Sequence, residues 1–331
     1  MHRRHPLFHQ YGLFPIPMIT KCGHKGVWLL LLLALGLHVD RVAASSEAMD
    51  LLTRMQAAVR DLNYSGRLTY SREDELASFR IAHRAGETQE SLVRLDSNVN
   101  SENVEAERFA LTNFEHLNLP DQQAYAFDMG DEVWVAGHSC RIVVARPKDK
   151  YRFLHRYCIN EDNGMLLRYS LMNRSQTVLE QLMFTQLDIA DQASAAAQHS
   201  QRLAFTAESF NLPQTLSKHA QLATQLTATK EPSLVLGQWN FDSLPAGFRV
   251  VRVIPQMGKQ ETSQVVISDG LTSVSVFITP ADPQESLDDL AYATGATHVL
   301  SEEVAGHAVT FVGEVPLTTL RSIQKGLRHV Q

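Results

Sequence analysis

Two cysteines, Cys140 and Cys158, stand in consecutive β-like runs on either side of the turn cluster Pro147-Lys148-Asp149-Lys150. A third β-like run follows Asn160-Glu161-Asp162-Asn163-Gly164, where Gly164 can take the positive φ that a tight turn needs. In a hairpin closed around Asp149, opposed residues have numbers summing to about twice 149, which sets Cys140 opposite Cys158. The spacing predicts a cross-strand disulfide, and a disulfide requires an oxidising compartment. The stretch from Gly137 to Leu187 thereby commits the chain to antiparallel hairpins.

The N-terminus supplies that compartment. Arg3, Arg4, Lys21 and Lys25 form a basic opening. Val27 to Leu37 is an apolar run too short for a comfortable membrane span, and Val42-Ala43-Ala44 places small residues at a cleavage site. Residues 1–44 therefore read as an export signal cleaved after Ala44, with an uncleaved anchor as the alternative and Met18 as an alternative start. Cys22 leaves with the signal, so the mature chain keeps two of three cysteines, as a disulfide requires. The leader takes five of 30 basic and one of 36 acidic residues, leaving a formal charge of −10. An exported acidic protein is a poor partner for nucleic acid or for an anionic membrane surface.

Residues 46–62 read as an amphipathic helix, because Leu51, Leu52, Met55, Val59 and Leu62 recur at three- and four-residue steps. Short strands are expected at 65–70, 78–84, 91–95, 108–111, 123–127 and 132–136. Turns are expected at Gly86, Asp96-Ser97-Asn98, Pro120-Asp121 and Met129-Gly130-Asp131. Such a series is an antiparallel meander, a curved sheet burying one face against the opening helix. The composition shifts from Ala190. A connection over 191–226, Ala/Gln/Ser-rich at 191–201 and then with scattered Phe and Leu, leads to a second unit over 227–331. There, strands are expected at 249–255, 262–268, 274–279 and 308–314, with a short helix at 286–294 and a final helix at 317–328. The fold class is α+β: a curved antiparallel sheet packed on a helix over 45–190 and a smaller C-terminal α+β domain.

Catalytic chemistry has few footholds. Cys140 with His138 two residues away could make a thiolate–imidazole pair, but a second cysteine in an oxidising compartment favours the disulfide. The mature histidines fall in no tight metal-ligand spacing, and Asp128-Met129-Gly130-Asp131-Glu132 lacks the alternating ligands of a calcium loop. No phosphate-binding glycine loop or nucleophile elbow is present. The expectation is a non-enzyme with no metal and no cofactor.

The run Pro147-Lys148-Asp149-Lys150-Tyr151-Arg152-Phe153 resembles a family pattern of the type RPKDxYRY. Gly164-Met165-Leu166-Leu167 and Leu179 to Thr185 follow it. Leu244-Pro245-Ala246-Gly247-Phe248, Ser268 to Phe277, and Val312-Gly313-Glu314-Val315-Pro316 then occur in the same order. The ordered set resembles the RseB/MucB family of periplasmic sigma-E regulatory proteins over nearly the whole mature chain. That resemblance implies that the first domain, 45–190, is a half-barrel, a half-open antiparallel barrel similar to LolA/LolB lipoprotein carriers. It implies a partner as well, the periplasmic region of an RseA/MucA-type anti-sigma factor, which family members shield from the site-one protease. It also implies displacement by lipopolysaccharide or another acylated signal.

A concave apolar face suits acyl chains. The candidate lining is Phe79, Ile81, Leu92, Tyr125, Phe127, Val133 and Leu167, although ordinary core is the default reading for each taken singly. Partner binding is expected on the second domain, at Asp269, Ser273, Ser275, Phe277, Glu314 and Pro316. Trp239 and Phe248 are expected to dock one domain against the other. A lipid or lipoprotein carrier is the alternative function, and homodimerisation is left open.

Overall fold

The computed structural model describes residues 45–87, 90–95, 111, 123–190, 237–257, 262–281 and 290–330. A helix, α1, spans residues 45–61. Its buried side chains are Ala48, Leu51, Leu52, Met55, Ala58 and Val59, one stripe at helical spacing. Eight strands follow: β1 (Asn63–Arg72), β2 (Glu75–His83), β3 (Ser91–Arg94), β4 (Tyr125–Val135), β5 (His138–Pro147), β6 (Leu154–Ile159), β7 (Leu166–Met172) and β8 (Val178–Ala190). They form one antiparallel sheet in the order β3-β2-β1-β8-β7-β6-β5-β4. Every neighbour is sequential except β1 and β8, whose pairing joins the two halves of the meander. The apolar stripe of α1 joins the buried face of this sheet in one core. The hairpin turn at Gly164 sits directly on the helix. Gly164 has φ +81°, and a Cβ there would lie 2.7 Å from the Arg54 carbonyl oxygen.

Cys140 and Cys158 are disulfide-bonded and buried in this core. The register differs from the expected one by two: Cys158 opposes Ile142, so the cysteines are diagonal neighbours with Cα atoms 5.4 Å apart. The hairpin closes one residue later than Asp149. A shift of two keeps every side chain on its expected face, which is why the bridge survives it.

One further expectation needs correction in this sheet. Met129-Gly130-Asp131 is no turn: β4 runs through it, with the pairing to β5 shifting between Met129 and Glu132. Gly130 serves close approach, since a Cβ there would lie 2.9 Å from Ile142 Cβ. The acidic run 128–132 is thus part of a bulged strand, and Asp128 pairs with Arg146 at 3.2 Å. The strand expected at 108–111 falls outside the described residues except for Leu111, which is buried. The leader 1–44 and the connection 191–226 lie outside them entirely.

The second sheet has six strands in the order β10-β11-β12-β15-β14-β13. They are β10 (Arg249–Met257), β11 (Thr262–Ser268), β12 (Ser273–Pro280), β13 (Leu290–Thr294), β14 (Thr297–Val304) and β15 (His307–Gly313). The helix α2 (Leu317–Gly326) buries Leu320 and Ile323 in the second core with Val265, Ile267, Val274, Val276, Val309 and Phe311. The strand β9 (Trp239–Phe241) pairs with β16 (Leu327–His329), joining the two ends of this unit.

The helix expected at 286–294 is corrected over 290–294, which is strand β13 in a hairpin with β14; residues 282–289 lie outside the described set. All five β13 side chains are exposed, so no buried helical stripe exists to favour a helix there. The final helix ends at Gly326 rather than 328. The chain there passes so close to Ser243 that a Cβ would meet its carbonyl oxygen at 2.0 Å, and it continues as β16.

Candidate functional site

The loop between β5 and β6, residues 148–153, is where the first sheet meets the second. Asp149 Oδ1 accepts from the Tyr151 amide at 2.9 Å, a local turn that leads Tyr151 and Arg152 into contact with the second sheet. Arg152 is fully buried. Its Nε donates to Asp269 Oδ2 at 2.5 Å, its Nη2 to the Ala246 carbonyl at 2.6 Å, and its Nη1 to Asp149. The guanidinium lies over the Phe248 ring at 4.5 Å and the Tyr125 ring at 5.6 Å. Tyr125 completes the cluster by donating its hydroxyl to Asp269 Oδ2 at 3.2 Å. Burial and the Asp269 charge hold the Tyr125 phenol well above its ordinary range, so it stays a donor.

Asp269 is equally committed on its own side. Its Oδ1 accepts from the Leu271 and Thr272 amides, both at 3.0 Å, which shapes the β11–β12 turn. Thr272 Oγ1 then donates to the Glu314 carbonyl at 3.0 Å. From the first turn of α2, Thr318 and Thr319 donate to the carbonyls of Lys150 and Tyr151, at 3.2 and 2.6 Å. Tyr151 packs against the second core. The four motifs around Arg152, Phe248, Asp269 and Pro316, far apart in sequence, thus converge on one buried junction.

A second contact lies along the same seam. Glu180 accepts from the Tyr70 hydroxyl at 2.6 Å and from the Ala296 amide at 2.9 Å, while Glu73 accepts from the Gly295 amide at 2.7 Å. Phe153, Leu171 and Ala296 make a small apolar cluster beside it. His155 is buried between these contacts, ringed by Tyr125, Tyr157 and Tyr169, with Nδ1 2.9 Å from the Tyr169 hydroxyl. Burial pushes its imidazole down to about 4, against the opposing pull of Asp269.

The expected lining residues fall together. Phe79, Ile81, Tyr125, Phe127 and Leu167 are buried in the first core, and Leu92 and Val133 pack against it half-buried. A cleft of about 190 Å³ opens elsewhere in this sheet, lined by Tyr70, Arg72, Glu75, Leu76, Ala77 and Arg94. The expected partner residues separate into two groups. Asp269 is buried in the junction, and Pro316 begins the α2 turn that reaches Lys150 and Tyr151. Ser273, Ser275 and Phe277 alternate with buried Val274, Val276 and Ile278 on β12, and Glu314 is exposed. Phe248 does bridge the two sheets through Arg152. Trp239 is corrected: its ring contacts are His307 and His329, inside the second unit.

Sequence reasoning missed Arg152 and Glu180 as structural anchors. The signal for Arg152 was available in an arginine set between Tyr151 and Phe153, a charge in an aromatic context. Glu180 and Gly295 carry no such signal, because their meeting depends on how the two sheets dock. Among the described residues no group of three or more His, Cys, Asp or Glu side chains is gathered to hold a metal.

The architecture defines a class: an open, curved antiparallel sheet wrapped on a helix and tied by a buried ion pair to a smaller α+β sheet unit. Residues 47–109 and 104–203 match the MucB/RseB N-terminal domain, and residues 235–328 match the MucB/RseB C-terminal domain. The chain belongs to the MucB/RseB family. It is 25% identical to the sigma-E factor regulatory protein RseB of Haemophilus influenzae, over 88% of this chain and 95% of that protein. It is 26% identical to the sigma factor AlgU regulatory protein MucB of Pseudomonas aeruginosa, over 90% of this chain and 96% of that protein. Its fold is similar to that of MucB crystallised in complex with MucA(peri), with a TM-score of 0.60 at 24% identity, covering 86% of this chain and 99% of that one.

Proposed function

We propose that this protein is a periplasmic negative regulator of a sigma-E envelope-stress response. It binds the periplasmic region of an RseA/MucA-type anti-sigma factor, protects that region from site-one proteolysis, and is released by a lipid-type signal. The observation that carries this reading is family membership across both units, together with the likeness to a MucB solved with MucA(peri) bound. The relatives are named as regulatory proteins, which supports a regulatory rather than a catalytic role.

The partner surface we favour is the β12 face bearing Ser273, Ser275 and Phe277, with Glu314 at its edge. Asp269 acts indirectly by holding the adjacent turn against Arg152. The concave side of the first sheet, with Phe79, Ile81, Leu92, Tyr125, Phe127, Val133 and Leu167, is the seat we assign to the acyl part of the signal. A ligand there releases the partner only if it binds the released arrangement more tightly than the partner-bound one.

The test is protease protection. The periplasmic segment of the cognate anti-sigma factor is incubated with its site-one protease, with and without the mature protein, and then with lipid A. Protection that lipid A reverses is the expected result. No binding and no protection would remove the regulatory reading and bring the lipid-carrier function forward.

A further inference from the structure

At the far end of the second sheet three rings meet. Trp239 on β9 stands directly opposite His329 on β16, with ring centroids 4.9 Å apart and edge-on. His307, which opens β15, meets the same indole at 5.3 Å, again edge-on. The two imidazoles are 5.8 Å apart, and all three side chains are half-buried.

The hydrogen bonds decide what these imidazoles offer. His307 Nδ1 lies 3.0 Å from the Ala305 carbonyl oxygen, and His329 Nε2 lies 3.3 Å from Gln238 Oε1. The Ala305 carbonyl can only accept, so His307 Nδ1 carries the proton; with Gln238 turning its amide oxygen to the ring, His329 Nε2 carries the proton as well. The lone pairs are therefore on His307 Nε2 and His329 Nδ1. A metal-bound histidine is held in the same way, its outer N–H given to a carbonyl or carboxylate while the inner nitrogen ligates. Two imidazoles sharing one cation, each nitrogen about 2.1 Å from it, have ring centroids roughly 5–6 Å apart. The cationic neighbour Arg328 is paired with Asp242 at 3.2 Å, which reduces its repulsion of an incoming cation.

We propose that His307 and His329 form a two-imidazole site for a divalent transition-metal cation of the Ni²⁺, Cu²⁺ or Zn²⁺ class, with water completing the coordination shell. Borderline-soft cations of this class suit imidazole nitrogen. The site spans β15 and β16, so a bound cation pins the last strand to the main sheet and stabilises the second unit by linkage. It is independent of the regulatory reading, because no residue of the junction or of the β12 face takes part.

The test uses Ni²⁺ and the mature protein without an affinity tag, on a Trp134→Phe background so that Trp239 reports alone. Trp134 is exposed on the other sheet. Ni²⁺ is expected to quench Trp239 saturably and to raise the thermal midpoint, and EDTA to reverse both. His307→Gln and His329→Gln, each checked for native circular dichroism, are each expected to abolish the saturable phase. Gln238→Ala, which removes only the outer hydrogen bond, is expected to weaken binding by about tenfold. Quenching that does not saturate, or that persists unchanged in either histidine variant, overturns the site.

Discussion

Arg152 and Asp269 are buried charges on opposite sides of the junction, and the cost of separating them is large because neither can reach water. Asp269→Asn keeps an oxygen for the Leu271 and Thr272 amides but removes the charge facing Arg152. It is expected to destabilise the protein by about 3 kcal/mol in urea unfolding, at the low end for a broken buried pair because Asp149 remains on the guanidinium. Arg152→Met combined with Asp269→Asn is expected to cost less than the two single changes added together, since no uncompensated charge is left behind. Additive losses would show that the ion pair itself contributes nothing beyond its separate packing.

His155 sets the acid limb at the same scale. Its folded-state value is about 4, below the unfolded value of about 6.5, so folding favours the neutral imidazole. The associated stability is fully present above about pH 6.5 and is lost as the pH falls towards 4, amounting to roughly 3 kcal/mol when complete. His155→Gln is therefore expected to flatten the decline in unfolding free energy between neutral pH and about pH 4. An unchanged slope would mean that other groups carry the acid sensitivity.

At the scale of elements, the Cys140–Cys158 bridge ties β5 to β6 across a separation of 18 residues. Cys158→Ser is expected to lower stability by about 3 kcal/mol, measured by denaturant midpoint, with reduction of the wild type giving a similar loss. Gly164→Ala should also destabilise, through a left-handed φ of +81° and through its collision with the Arg54 carbonyl. Thermal midpoints of the two variants check both effects.

Elements were also where the sequence was most and least legible. The meander, the opening helix and the face assignment of the cysteines followed from periodicity, and an even-numbered register error cannot move a side chain to the other face. The Met129-Gly130-Asp131 run has the composition of a turn, yet it lies inside β4 because the strand absorbs the irregularity as a bulge. Leu290 to Thr294 lacked a pattern strong enough to separate strand from helix, and the hairpin with β14 decided it. The four motifs around Arg152, Phe248, Asp269 and Pro316 were visible as residues. That they touch was not, because contacts between sheets leave no period in the sequence.

At the scale of the whole molecule, the junction determines whether two cores behave as one. Among the described residues the two cores share no buried apolar side chain, so what couples them is the seam: Leu271 packed on the first core and Tyr151 on the second, Arg152 with Asp269, the Thr318 and Thr319 bonds, Phe153 with Ala296, and the Glu73 and Glu180 contacts at Gly295 and Ala296. A seam built of a few specific bonds transmits cooperativity only while those bonds hold. Gly295 is its tightest point on the second side. With φ +58°, a Cβ there would lie 2.4 Å from Arg72 Cγ and 2.7 Å from Glu180 Oε1. Gly295→Val wedges the seam at a position outside both cores, and Asp269→Asn weakens it at the other end. Scanning calorimetry of the wild type is expected to show one transition, and the double variant two, with the smaller sheet unit melting first because its core is the smaller. A single transition in the double variant would place the coupling elsewhere. If the transitions do separate, the same variant asks whether partner protection needs both sheets held in one arrangement. On the regulatory reading, protection should then fall while each unit remains folded.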